Sequence, residues 1–228
     1  MFNRIPIFDW NPNLEETPPT RLVQSPGVDT GTVSDTGGAV TIADDTFGDK
    51  RILFTTSATD GGSCTIKFPV NIYAYKRYGL ELFDPTIDAE TVAFNMGQET
   101  GNGFGSNVAA RNWGFQQDYA GLVTPGDPDE YASLRLGSSV AGQEFANVIR
   151  ANSGTNYNQP KHLRVELDRL TKEISVFLND AQVGYHRVTD NSLNIGSAAG
   201  GAFIVRLRTR TAAARTMRVR RILGWVEN

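Results

Sequence analysis

Apolar and polar residues alternate along many short stretches of this chain, and the pattern is clearest in residues 163–186, LRVELDRLTKEISVFLNDAQVGYH. Successive side chains of a β-strand point to opposite faces of the sheet, so this alternation predicts three consecutive strands with one buried face. Asn179 and Asp180 tolerate positive φ and predict a tight turn between the second and third strands. The residues predicted to face the core are Leu163, Val165, Leu167, Ile174, Val176, Leu178, Val183 and Tyr185.

Similar runs rich in β-branched and aromatic residues follow one another from about Ala39 to the end of the chain. Examples are RILFTT, CTIKF, GLELF, YASLRL and TMRVRRILGWV, and turn-forming clusters such as DTFGDK, TDGGS and TPGDPDE separate them. Many short strands without a helical period are typical of a sandwich or barrel. The sequence therefore predicts an all-β protein.

The first 36 residues have a different character, rich in Pro, Thr, Asp and Gly. Proline removes backbone donors and favours extended structure. We predict an extended N-terminal arm over residues 1–36 and a β domain over residues 37–228. A flexible tail is the alternative, but the apolar residues Ile5, Ile7, Phe8 and Trp10 favour an arm that docks on a neighbour.

The meander carries a family resemblance. Asp168, Thr171, the I-x-V-x-L run from Ile174 to Leu178, and the turn that follows it resemble the final strands of concanavalin A-like lectin/glucanase domains, including laminin G-like modules. The resemblance implies a two-sheet antiparallel jelly-roll sandwich. It is a pattern of packing and turns, so it indicates a fold and says little about activity.

The cysteine count and the hydropathy of the sequence indicate the cellular compartment in which the protein is made. Cys64 is the single cysteine, and neither a signal-peptide pattern nor an apolar run of membrane-spanning length occurs in the 228 residues. We expect a soluble protein made in the cytosol, with no membrane partner.

Charge is unevenly distributed, although the net charge is only −3. The C-terminal part is rich in arginine, and with TRTAAAR as a hairpin loop two arginine rows would lie side by side. Like charges in that arrangement need an acidic partner. The rows are predicted to face an acidic subunit surface, either the chain's own acidic N-terminal portion or a neighbouring copy, with an anionic polysaccharide as the alternative. A sequence pI of about 5.5 argues against nucleic acid. The predicted interface residues are Arg206, Arg208, Arg210, Arg218 and Arg220.

Catalysis has one candidate pair. Glucanases of the resembled superfamily carry E-x-D-x-E on one strand, which points carboxylates into a cleft. Glu166 and Asp168 begin that pattern, but Leu170 and Thr171 stand where a third carboxylate is needed. We therefore expect that the protein is not an enzyme. We interpret Glu166 and Asp168 as part of a solvated strand face, where they compensate the charge of neighbouring arginines.

Two polar, glycine- and asparagine-rich loops could recognise a glycan, because aromatic rings stack on sugars and amides bond their hydroxyls. The alternative is that Trp113 and Phe115 are core residues and the loops are ordinary turns. The candidate glycan-binding residues are Arg111, Asn112, Trp113, Tyr119, Asn156 and Tyr157.

Metal binding has weaker support. Asp127, Asp129 and Glu130 could contribute to a Ca²⁺ site, as could the Asp44-Asp45 pair, but neither group matches a specific ligand pattern. We expect no cofactor, with Ca²⁺ as a possibility.

A lectin-like sandwich without an export signal or disulfide fits a virion protein, which is assembled in the host cytoplasm and freed by lysis. The leading hypothesis is a non-enzymatic phage head-decoration, fibre or tail-associated protein. Its expected partners are other virion subunits or copies of itself, and cell-surface glycan. The alternatives are a carbohydrate-binding module without a structural role and a glycosidase or polysaccharide lyase.

Overall fold

A computed structural model of the chain describes the following ranges: 4–14, 32–35, 37–70, 75–88, 92–99, 112–118, 130–137, 143–151, 162–187, 202–209 and 211–228. These residues form strands and turns without a helix. Every strand pair among them is antiparallel. The all-β prediction is confirmed.

The strands form three sheets. In spatial order, the six-stranded sheet contains β1 (Ile5–Trp10), β17 (Arg221–Glu227), β6 (Arg77–Phe83), β12 (His162–Asp168), β13 (Glu173–Leu178) and β14 (Ala181–Arg187). The seven-stranded sheet contains β11 (Gln143–Ala151), β10 (Glu130–Gly137), β9 (Asn112–Asp118), β8 (Val92–Glu99), β15 (Ala202–Thr209), β5 (Ser63–Pro69) and β2 (Thr32–Asp35). The four-stranded sheet contains β3 (Ala39–Asp44), β4 (Lys50–Thr55), β16 (Thr216–Val219) and β7 (Thr86–Ile87).

The two larger sheets pack face to face over one continuous apolar core. Phe8 of the six-stranded sheet stacks on Phe68 of the seven-stranded sheet, with ring centroids 3.8 Å apart and planes 7° apart. Tyr78 and Phe203 meet across the same interface. The predicted sandwich is therefore present, and the small third sheet is an addition to it.

The meander of β12, β13 and β14 has the predicted pairing. Asn179 and Asp180 adopt φ of 49° and 66°, which confirms the tight turn with two left-handed residues. Before β13, the Asp168 carboxylate accepts hydrogen bonds from the backbone N–H groups of Leu170 and Thr171. Local turn chemistry therefore sets the register of these strands.

The predicted core position of Tyr185 is wrong, because this side chain is 63% exposed. The register between β13 and β14 shifts after Val176: Val176 pairs with Gly184, but Phe177 pairs with Gln182. A β-bulge adds one residue to a strand and reverses the alternation beyond it. Tyr185 therefore lies opposite Ser175 and faces solvent.

Two strands lie within the stretch predicted as an arm. β1 is the edge strand of the six-stranded sheet and pairs with β17, and its residues Ile7, Phe8 and Trp10 are buried. β2 pairs with β5 at the edge of the seven-stranded sheet. These parts of residues 1–36 therefore belong to the chain's own sandwich rather than to an arm extended away from it.

Candidate functional site

Three glutamates are almost fully buried on one face of the six-stranded sheet: Glu81, Glu166 and Glu227, with 5%, 4% and 3% of their surfaces exposed. They come from the adjacent strands β6, β12 and β17. Their strand neighbours Leu80, Val165 and Val226 belong to the core, so alternation places the carboxylates on the outer face. We call these three residues the glutamate cluster.

The guanidinium group of Arg4, which directly precedes β1, contacts the whole glutamate cluster. Its Nη2 donates to Glu166 Oε1 at 2.8 Å, its Nη1 lies 3.6 Å from Glu81 Oε1, and its Nε lies 3.7 Å from Glu227 Oε1. The Arg4 side chain is 41% exposed, so it covers the carboxylates from the solvent side.

The indole of Trp225 lies directly beneath the Arg4 guanidinium group, on the surface of the sheet. The Arg4 Cζ lies 4.1 Å from the centre of the indole, a cation–π distance. On the opposite side the indole rests on Gly79, where an added Cβ would come within 2.1 Å of the ring. The indole Nε1 donates to Glu81 Oε1 at 2.6 Å. A glycine at position 79 is therefore what allows the tryptophan to lie flat against the sheet.

Two further arginines hold the cluster from the side. Arg77 Nη2 donates to Glu166 Oε2 at 2.9 Å, and its Nη1 donates to Glu227 Oε2 at 3.1 Å. Arg164 Nε lies 2.8 Å from Glu166 Oε1, at an angle unsuited to a hydrogen bond, so this contact is an ion pair. The buried carboxylates are thus balanced by arginines from three strands or strand ends.

His162 completes the arrangement next to Glu81. Its Nε2 lies 2.7 Å from Glu81 Oε2 and its Nδ1 lies 3.1 Å from Asp180 Oδ1. The imidazole also stacks on Phe83, with ring centroids 4.5 Å apart and planes 9° apart. Both contacts with carboxylates fix the orientation of the ring.

The pKa of Glu81 is lowered from its ordinary value of 4.5. Burial by itself raises this pKa, but the hydrogen bonds from His162 and from the Trp225 indole, with the positive charge of Arg164, outweigh burial. Glu81 is therefore held as a carboxylate in the folded protein.

We expect Glu81→Gln to lower the free energy of unfolding by about 2 kcal/mol at neutral pH, because charge-assisted hydrogen bonds are lost. Since the pKa is lower in the folded chain than in the unfolded chain, the ionised carboxylate stabilises the fold above pH 4.5, and this contribution disappears as the pH falls through the folded-state pKa. Urea denaturation at a series of pH values should therefore show that the difference in free energy of unfolding between the wild type and the variant shrinks from neutral to acidic pH.

A suitable control for that experiment is Phe47→Ala, which changes a side chain that is 92% exposed at a hairpin tip. The difference in free energy of unfolding between Phe47→Ala and the wild type should not depend on pH. A wild-type and Glu81→Gln difference that stayed constant down to strongly acidic pH would contradict the role given to the Glu81 carboxylate.

The interpretation of Glu166 as a solvated residue is wrong, because its side chain is buried under Arg4. The expected compensation by arginines is confirmed, and Asp168 joins it through Arg77 at 3.7 Å. Each oxygen of Glu166 faces at least one arginine nitrogen within 3 Å. Arginine side chains therefore contact both oxygens of this carboxylate.

Sequence reasoning missed Arg4, Glu81, Trp225 and Glu227. A signal was present in GLELF and GWVE, where a glutamate alternates with apolar residues as Glu166 does in β12. What the sequence could not supply was the strand order, which makes β17, β6 and β12 neighbours although they are distant along the chain.

The predicted glycan-binding residues stay a prediction. Asn112 and Trp113 lie in β9, and Trp113 pairs in register with Gln98 and Leu136. The other four lie outside the described residues: Arg111, Tyr119, Asn156 and Tyr157.

The two arginine rows do not lie side by side. Both edges of β15 are occupied, by β5 and β8, whereas β16 pairs with β4 and β7 in another sheet. The intervening loop crosses between the sheets and docks on Thr56, which exchanges hydrogen bonds with Arg215. The hairpin expected at TRTAAAR is therefore wrong.

Three of the five predicted interface arginines have partners within the chain. Arg206 is 9% exposed and donates from Nε to Thr65 Oγ1 at 2.9 Å, and Arg208 donates to the Gly61 carbonyl. Arg220 lies 3.4 Å from Asp84, and Arg218 is exposed on β16. Arg210 lies outside the described residues. Their role in an interface is untested.

No group of three or more His, Cys, Asp or Glu residues in the described ranges is arranged to hold a metal ion. Within the same ranges, no helix has the length and apolar character needed to cross a membrane.

Comparisons with known proteins identify the fold. No protein-family profile matches the chain, and no curated protein matches it by sequence. Solved structures do match. A protein of unknown function, SO2946 from Shewanella oneidensis MR-1, superposes with a TM-score of 0.61 at 11% identity, covering 100% of this chain and 88% of that one.

Two other similar structures come from proteins of different function. The carbohydrate recognition domain of Emp47p matches with a TM-score of 0.56 at 8% identity, covering 97% of this chain and 94% of that one. A Bacteroides ovatus GH16 protein of a mixed-linkage glucan locus, bound to an oligosaccharide product, matches with a TM-score of 0.51 at 12% identity, covering 84% and 93%. The chain therefore has the concanavalin A-like sandwich fold, as its meander predicts, and identities this low establish the fold alone.

Proposed function

We propose that this protein is a non-enzymatic, lectin-like surface protein that contacts glycans and is a component of a larger particle. The observation that carries the proposal is the glutamate cluster. On a fold shared by lectins and glycosidases, the buried carboxylates of the glutamate cluster are paired with Arg4, Arg77 and Arg164, and this pairing supports a structural role for them.

Glycan contact is assigned to two segments of the sequence, one with Trp113 in β9 and Tyr119 after it, the other with Asn156 and Tyr157. These segments combine aromatic rings with amides, the two kinds of group that sugar recognition uses. The resemblance in fold to a carbohydrate recognition domain supports this assignment. No cofactor is part of the proposal, and Ca²⁺ would be an addition to be tested by chelation.

Glycan contact is tested on an array of immobilised glycans. We expect saturable binding by the wild type, and roughly a five- to tenfold loss with Trp113→Ala or Tyr119→Ala, because an aromatic contact contributes about 1–1.5 kcal/mol. The matched control is Tyr185→Ala, an exposed aromatic residue on β14 of the other large sheet, which should bind like the wild type. Absence of binding across a broad array, or equal loss in the control, would refute glycan contact by these two segments.

The particle is proposed to be a virion, such as that of a phage, with the protein made in the host cytoplasm and assembled with itself or other virion subunits. A lectin-like sandwich with a single buried cysteine needs no oxidising compartment to fold, which supports this setting. Mass photometry of the purified protein should reveal a defined oligomer, and a strict monomer that binds no particle component would count against the proposal.

A glycosidase is the second candidate, favoured by the common fold with the GH16 protein. It predicts cleavage of a polysaccharide that Glu166→Gln abolishes. We expect no such activity in the wild type, and its detection on a polysaccharide panel would reverse the order of the two candidates.

A further inference from the structure

We propose that His162 is a pH-sensitive clamp: its imidazolium form holds the β13–β14 turn against the buried Glu81, and loss of the Nδ1 proton at higher pH releases the turn. The clamp lies at one end of the six-stranded sheet, where β6, β12 and this turn meet. It is independent of glycan contact and of assembly into a particle.

Both nitrogens of the His162 ring face a carboxylate oxygen. Nε2 lies 2.7 Å from Glu81 Oε2, and Nδ1 lies 3.1 Å from Asp180 Oδ1. An ionised carboxylate only accepts hydrogen bonds, and a neutral imidazole has a single N–H to donate. The imidazolium carries an N–H on each nitrogen and satisfies both contacts, whereas in the neutral ring one lone pair would face a negatively charged oxygen.

The Glu81 side of the clamp is buried and fixed. The Glu81 side chain is 6% exposed, and its second oxygen, Oε1, accepts a hydrogen bond from Trp225 and lies 3.6 Å from Arg4 Nη1. Because the lowered pKa of Glu81 keeps this group ionised, the short contact with it holds the remaining proton of a neutral imidazole on Nε2.

The Asp180 side of the clamp is exposed and can be released. The Asp180 side chain is 73% exposed, and Arg164 Nη1 lies 3.2 Å from the same Oδ1 that faces the imidazole. When the Nδ1 proton passes to water, the freed lone pair repels this oxygen, and Asp180 turns to solvent or to Arg164. The side-chain link from β6 to the turn is then broken, while the hydrogen bonds between the His162 backbone and Asn179 remain.

Phe83 and Arg221 lie on the face of the imidazole. The His162 ring stacks on Phe83, and Arg221 Cζ lies 5.0 Å from the centre of that phenyl ring. Arg221 is itself paired with Asp9 by two hydrogen bonds, which offsets its charge. The two carboxylates in direct contact with the ring nitrogens therefore dominate, and they favour the charged imidazole.

The direction of the pH dependence follows from these contacts. The Nδ1 proton stabilises the fold on the acidic side of the range in which imidazole changes charge, and this contribution is lost as the pH rises. Glu81 has the opposite dependence, because its lowered pKa removes its contribution only as the pH falls. Measurements at different pH values therefore separate the two effects.

The clamp is tested by a double-mutant cycle of His162→Gln and Asp180→Asn, with melting temperatures measured at about pH 5.5 and about pH 8.5, on either side of the imidazole range. Asparagine suits position 180 because it also tolerates the positive φ of the turn. We expect a coupling of roughly 1–3 °C at the lower pH, as for a partly exposed ion pair, and below about 0.5 °C at the higher pH.

The matched control is the cycle of Arg164→Gln and Asp180→Asn, because arginine keeps its charge at both pH values. Its coupling should be present at both. Equal coupling of His162 with Asp180 at the two pH values, or no coupling at either, would refute the clamp. Loss of the Arg164 coupling at the higher pH would refute it too, since Asp180 would then leave for a reason other than the imidazole.

Nuclear magnetic resonance provides a readout that does not depend on unfolding. In Asp180→Asn, the ring signals of His162 should change at a lower pH than in the wild type, whereas those of His186, near the other end of β14, should not move. An unchanged titration of His162, or a proton on Nδ1 of the neutral ring, would contradict the release of Asp180. Because no measurement involves a sugar, failure here is distinct from failure of the glycan array.

Discussion

Replacing Phe8 by alanine is expected to lower the free energy of unfolding by about 3–5 kcal/mol, the usual loss for a large aromatic side chain in a core. Phe8 is 2% exposed, stacks on Phe68 across the sandwich and packs edge-on against Phe203. Gly224 lies beneath the ring and has no side chain with which to fill the space that its removal leaves. Urea denaturation followed by tryptophan fluorescence measures the loss.

Phe47→Ala is the matched control, since the same side chain at the tip of the β3–β4 hairpin is 92% exposed. Its effect should stay within about 0.5 kcal/mol. A loss below about 1 kcal/mol for Phe8→Ala would indicate that the N-terminal strand is dispensable for the sandwich, as expected for an arm that docks elsewhere. The experiment therefore also decides how far the first residues belong to the domain.

Replacing Gly79 by alanine is expected to cost about 3 kcal/mol, at the upper end for overpacking by a single methyl group. The new Cβ would stand 2.1 Å from the indole of Trp225, and the nearest ring atoms belong to a rigid side chain that is 1% exposed. The indole would have to leave the sheet, and its hydrogen bond with Glu81 and its contact with Arg4 would be lost.

A double-mutant cycle identifies the cause. With Trp225→Leu already present, Gly79→Ala should cost less than about 1 kcal/mol, because the clash no longer exists. The free energies of unfolding of the four proteins, measured by urea denaturation, give the coupling energy between positions 79 and 225. Equal costs of Gly79→Ala in both backgrounds would show that the indole is not what requires glycine at this position.

Phe8 and Gly79 differ in how much of their role the sequence indicates. Alternation alone marks the apolar character of β1, but the sequence interpretation placed Phe8 on an arm because five prolines interrupt residues 1–36. Gly79 has no signature in the sequence. Its role depends on the pairing of Gly79 with Trp225 across two strands that lie far apart in the chain.

The predictions that were wrong depended on how strands pair, which the local pattern of side chains does not determine. A single bulge reversed the orientation of Tyr185. In TMRVRRILGWV, the adjacent residues Arg220 and Arg221 break the alternation, and there the chain leaves the four-stranded sheet and enters the six-stranded sheet. That break is readable in the sequence, whereas the choice of the next sheet is not.

The sequence by itself determined the all-β class, the meander of residues 163–186 with its two turns, and the resemblance to concanavalin A-like domains. These follow from side-chain alternation with period two and from residues that accept positive φ, and both are local properties. Only the tertiary structure decided that Arg4, Glu81, Glu166, Glu227 and Trp225 form one site, because strand order and register bring together residues that no local interaction relates.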